Sequence, residues 1–110
     1  MGKAAMIGSF DCQDGKAEEM EAVLASMVEA AKQEPGVEIY SYHRGDGNTF
    51  WFFALMADAE SMQGHGQTAA MQQAMDAFRP LMASPPQMQM TTPIAAIGLD
   101  LKDSRTQGQQ

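Results

Sequence analysis

Two histidines, two tyrosines and one cysteine are the side chains through which this 110-residue chain could offer a substrate acid–base or nucleophilic chemistry. His65 stands between two glycines, in Gly64-His65-Gly66. There it can act as a base or a hydrogen-bond donor at a pocket mouth. The alternative is a histidine that caps a helix end or faces water. His43, beside Arg44 and a turn, reads as a solvated edge residue. Tyr40 and Tyr42 can polarise a ligand carbonyl or phenol, or simply pack with their hydroxyls at the surface. Cys12 precedes a turn and has no evident base, which argues against a nucleophile. Neither histidine has Asp, Glu or Cys at metal-ligand spacing, so no metal site is expected. No serine lies in a G-x-S-x-G context, and Gly45-Asp46-Gly47 reads as a turn rather than a phosphate cradle.

Composition narrows the classes. The length suits one domain, expected over residues 1–100, with a polar, disordered tail at 101–110. A formal charge of −7 repels phosphate, which argues against nucleic acid and an anionic membrane surface as partners. One cysteine permits no internal disulfide, and no apolar run approaches a membrane span. The amino terminus lacks the apolar core of a signal peptide, so a cytoplasmic setting is expected. The 11 methionines can fill a core adaptably or line a pocket that accepts varied apolar guests.

The element that must position these groups is Phe50–Ala57, FWFFALMA, an uncharged run that reads as a central strand covered on both faces. Phe50, Phe52, Ala54 and Met56 would share one face; Trp51, Phe53, Leu55 and Ala57 the other. Ala4–Asp11 reads as a first strand, with Gly8 weakening it or permitting a close approach. Asp14 can cap a helix whose apolar stripe is Met20, Val23, Leu24, Met27, Val28 and Ala31, and Pro35-Gly36 ends it. Val37–Arg44 is a second strand, joined to the central one by the turn at 45–48. Asp58 caps a short helix over Ala59–His65. Thr68 starts a longer one carrying Met71, Ala74, Met75, Phe78 and Met82, which Pro80 bends or ends. Residues 87–99 can supply a last strand, broken by Pro93. The order βαββαβ is the ferredoxin-like α+β pattern, an antiparallel four-stranded sheet with helices on one face. The other face would leave three large apolar side chains in water, together worth roughly 5–9 kcal/mol before association costs. A homodimer with sheets face to face is the expected remedy.

The first strand, DGKAEEMEAVLASMVEAAKQEPG, VEIYSYHR and FWFFALMADAESMQGHGQTAAM together resemble the antibiotic biosynthesis monooxygenase family over about residues 4–97. The Glu-Pro-Gly after the first helix and the later His-x-x-Thr element carry most of the likeness. The resemblance implies a dimeric α+β barrel. Its enzymes include quinol and anthrone oxygenases that use molecular oxygen without metal or flavin. It further implies a small hydrophobic aromatic ligand between sheet and helices, with no cofactor. His65 would be its base or donor. Phe52, Ala54 and Met56 would face it from the central strand, and Met75 and Phe78 from the long helix. The chain also departs from the pattern. Ala54 and Met56 stand where many members have Glu and Trp, and Ala70 where quinol-type members have a second histidine. Haem-degrading members use Asn, Trp and His where this chain has Gly8, His65 and Met75, which disfavours that activity. A non-catalytic small-molecule-binding dimer is the alternative.

Overall fold

The computed structural model describes residues 2–99. Four strands, β1 (Ala4–Asp11), β2 (Val37–Arg44), β3 (Thr49–Met56) and β4 (Gln87–Thr91), form one antiparallel sheet in the order β2-β3-β1-β4. Helices α1 (Ala17–Ala31), α2 (Ala59–Gly64) and α3 (Ala69–Phe78) complete the ferredoxin-like βαββαβ arrangement. The expected 101–110 tail lies outside the described residues. None of the helices described is long and apolar enough to cross a membrane.

Local chemistry places most boundaries. Asp58 accepts from the Ser61 amide at 2.8 Å and Thr68 from the Met71 amide at 3.1 Å, so α2 and α3 start where side-chain caps are available. Pro80 cannot continue an α-helix, and the chain passes into a single 3₁₀ turn at Arg79–Leu81. α2 stops at Gly64, one residue short of the expected His65, which turns to extended backbone. The expected Asp14 cap does not form. Lys16 occupies the cap position, and Asp14 instead accepts from Asn48 Nδ2 at 2.6 Å, tying the β1–α1 turn to the β2–β3 hairpin.

β3 is central, between β2 and β1, but its two faces differ. Phe50, Phe52, Ala54 and Met56 are all buried on the helix side. Beneath α1 and α3, Phe50 and Phe52 join Phe10, Met20, Leu24, Met27, Met71 and Phe78 in one apolar cluster. The outer face is covered only in part, contrary to the expectation for both faces. Leu55 and its cross-strand partner Ala5 are buried, whereas Trp51 is 51% and Ile7 44% exposed. Gly8 explains its own place in β1. A Cβ there would collide with the Gln87 carbonyl and the Phe52 ring, so glycine lets β4 pair closely while Phe52 lies across the strand.

Candidate functional site

Glu34 follows α1 by three residues, held by its amide to the Ala31 carbonyl at 3.0 Å. It is the one charged residue of the described chain that is fully buried, at 7% exposure. Burying a carboxylate is costly unless its oxygens find donors. Oε1 lies 2.6 Å from His65 Nδ1, and Oε2 accepts from the Gly66 amide at 2.9 Å. Gln72 pins the same loop by donating to the Gly66 carbonyl at 2.6 Å. The two halves of this site are 31 residues apart in sequence but lie at one end of the sheet, where the Ala57 amide donates to the Gly36 carbonyl at 2.8 Å, and Gly36 lets them meet. Its φ of +86° suits only glycine, and a Cβ there would run into Ser61 on α2. α2 therefore closes down on the Glu34-Pro35-Gly36 turn and delivers His65 to the carboxylate.

With the carboxylate as acceptor, Nδ1 carries the proton, and in the neutral ring Nε2 keeps a lone pair. Nε2 has no partner among the described residues. The arrangement is the orienting half of a catalytic triad: a carboxylate fixes the tautomer and aim of an imidazole, whose other nitrogen can take a proton.

Tyr40 and Tyr42 stand beside this pair on the same face of β2. Their hydroxyls are 2.6 Å apart, and the Tyr40 ring meets the His65 ring edge-on with centroids 5.0 Å apart. Burial raises the Tyr40 pKa; its hydrogen bond to Tyr42 opposes this, and the charge of Glu34 adds to the rise. Tyr42 is raised further, first by burial and then by Tyr40. These are the only two tyrosines in the chain, so alkaline titration reads them alone. The tyrosinate absorbance of the folded protein should fail to rise near pH 10, the ordinary value, and should appear only at higher pH together with unfolding. The sign follows from linkage. Above about pH 10 the unfolded chain releases protons that the folded chain keeps, so stability present below that pH is lost as it rises, by up to about 1.4 kcal/mol per pH unit for each tyrosine. A full tyrosinate step near pH 10 with the fold intact would refute the burial.

Imidazole and phenols open onto one cavity of about 420 Å³ between the sheet and the helices. Seven of the 11 methionines line it: Met6, Met27, Met62, Met71, Met75, Met88 and Met90. Phe10, Phe52 and Phe78 complete the apolar wall, and the half-exposed Met88 and Met90 border it on the β4 side. Of the residues expected at the site, His65, Phe52, Met75 and Phe78 line this cavity. Ala54 and Met56 do not. Both share the Phe52 face and are fully buried, but the short Ala54 side chain lies between its strand neighbours Met6 and Tyr40, which reach the cavity instead. Met56 lies two residues further along β3, paired with Ala4 and Val37. Sequence reasoning missed Glu34, because it sought carboxylates near His65 along the chain, and this one is 31 residues away. Glu-Pro-Gly was the available signal. Among the described residues no group of three or more His, Cys, Asp or Glu is placed to hold a metal.

The sequence profile of the antibiotic biosynthesis monooxygenase family matches residues 4–77. The chain belongs to the antibiotic biosynthesis monooxygenase family. Solved structures agree on the fold. A Chloroflexus aurantiacus J-10-fl protein named for this family aligns with a TM-score of 0.78 at 22% identity, over 89% of this chain and 99% of that one. A Caulobacter crescentus CB15 protein, also named for it, gives 0.79 at 25% identity, over 86% and 92%. A Nitrosomonas europaea protein of unknown function gives 0.77 at 24% identity, over 91% and 97%. No protein of curated function matches the sequence. The residues matched by the antibiotic biosynthesis monooxygenase profile include Glu34, both tyrosines and His65, and end one residue before Phe78.

Proposed function

We propose that this protein is a cofactor-independent monooxygenase that oxidises an electron-rich aromatic, quinol- or anthrone-like, with molecular oxygen. One observation carries the reading: an imidazole fixed by a buried carboxylate opens onto a mostly apolar cavity, rich in methionine and phenylalanine. His65 Nε2 takes a proton from the substrate, and Glu34 offsets the charge the ring acquires. The resulting phenolate or carbanion is electron-rich enough to reduce oxygen itself. For an anthrone, the methylene carbon loses two hydrogens and gains one oxygen atom, and the second oxygen atom leaves as water. The apolar part of the wall limits reprotonation of the anion by bulk water. Oxygen uptake with a panel of hydroquinones and anthrones tests this. Uptake that depends on His65 supports it; no uptake with any of them favours a binding protein on the same scaffold, a reading to which the absent Glu and Trp at Ala54 and Met56 lend weight.

A homodimer goes with this reading. Trp51 and Ile7, with the half-buried Phe53 and Ile39, share the sheet face that no helix covers. Such a patch is the usual mark of an interface. Sedimentation at low micromolar concentration should give twice the chain mass; a well-ordered single copy would remove the dimer. A cytoplasmic setting fits Cys12, which is buried and unpaired.

A further inference from the structure

We propose that the Tyr40–Tyr42 hydroxyl pair is a second polar station in this cavity, donating a hydrogen bond to the ketone oxygen of an aromatic substrate while His65 takes a proton from a different atom. The inference rests on the reading of His65 as base and narrows the substrate class from electron-rich aromatics in general to aromatic ketones.

Two phenols bring two hydroxyl hydrogens. At 2.6 Å one of them is spent between the oxygens, whichever is the donor. The other is left over, and neither hydroxyl has another partner among the described residues. Both tyrosines line the cavity, where aromatic rings pack against them; its other polar side chains, His65, Gln67, Gln72 and Arg79, bond neither hydroxyl. The spare hydrogen is therefore available to whatever fills the space. A phenol that keeps its proton, in a wall where burial and Glu34 both oppose tyrosinate, complements an acceptor rather than another donor. A ketone oxygen is such an acceptor, and it becomes a stronger one as deprotonation elsewhere in the ring system pushes charge onto it. Hydrogen bonds aimed at developing charge favour the transition state over the ground state. Tyr40 links the two stations physically, since its ring packs edge-on against His65 while its hydroxyl meets Tyr42. A ligand engaging both must carry its acidic hydrogen and its oxygen on separate atoms of one flat framework. A volume of about 420 Å³ is in the range for such small-molecule sites.

The test is binding, without turnover. Xanthone, a three-ring ketone with no acidic C–H, is compared with dibenzodioxin, which has the same outline without the carbonyl. Wild type should bind xanthone roughly 3- to 10-fold more tightly, the range of one net hydrogen bond. The double variant Tyr40→Phe, Tyr42→Phe should lose that preference with dibenzodioxin affinity unchanged, whereas His65→Ala should keep it. The carbonyl stretch of bound xanthone should lie at lower frequency in wild type than in the double variant. Should the double variant fail to fold, the wild-type stretch against xanthone in alkane decides the matter. Equal affinities in wild type, a preference that survives the loss of both hydroxyls, or an alkane-like stretch would each overturn the proposal. Neither probe can be oxidised at an acidic carbon, so these outcomes leave the His65 reading to stand or fall on oxygen uptake.

Discussion

His65→Ala should lower oxygen consumption by about 100- to 10,000-fold, the usual range for a positioned general base, or roughly 3–5 kcal/mol of activation free energy. The size follows from the site's composition. Once the imidazole is gone, the cavity wall holds no other group that is both neutral and basic. Its phenols keep their protons, and the Glu34 carboxylate is buried behind the position His65 occupied, bonded to the Gly66 amide. Glu34→Gln should cost less, since the amide oxygen can still accept from Nδ1 while the charge is lost. Substrate affinity should change little in either variant, because apolar contacts dominate the wall. The measurement is kcat and KM for oxygen uptake with the best substrate of the panel. Consumption unchanged in His65→Ala would remove the residue from the chemistry.

Phe10→Ala should produce the largest loss of stability, on the order of 3–5 kcal/mol. Phe10 is 4% exposed and is the hub of the aromatic core. It stacks on Phe50 at 5.5 Å between centroids and meets Phe78 edge-on at 5.0 Å, with Phe52 and Tyr42 further out. It thereby joins three strands to α3. Its removal opens a cavity that β-sheet neighbours cannot close without breaking register. A domain of this size has roughly 5–15 kcal/mol in total, so the midpoint of thermal unfolding should fall by roughly 12–30 °C at fixed protein concentration. Phe10 also lines the ligand cavity, so substrate affinity should weaken in the variant even where it remains folded. A shift of only a few degrees would mean that the aromatic cluster is not the keystone of the core.

The fold was largely legible because its signals are local. Alternation in VEIYSYHR, the uncharged FWFFALMA run and the helical stripe from Met20 to Ala31 each set their element without reference to the rest. Asp58 and Thr68 announced the helix starts. Asp14 misled because an acidic side chain beside a turn has two possible partners, and the nearer hairpin, through Asn48, claimed it. The site was legible only in half. His65 stood out between glycines, but its partner comes from another loop, and periodicity carries no information on which loops meet. Ala54 and Met56 were misplaced for a related reason. Strand alternation gave their face correctly, but whether a side chain reaches a cavity depends on its length and on the neighbours that stand over it.

The central claim is that Glu34 holds His65 with its proton on Nδ1, so that Nε2 faces the ligand as a base. Nitrogen NMR of protein carrying isotope-labelled histidine tests this directly, since the chain has only two histidines and His43→Gln leaves one. The neutral ring should show protonated Nδ1 and bare Nε2, and the Nε2 resonance should move when an aromatic ligand is added. A proton on Nε2, with a resonance indifferent to ligand, would contradict the account.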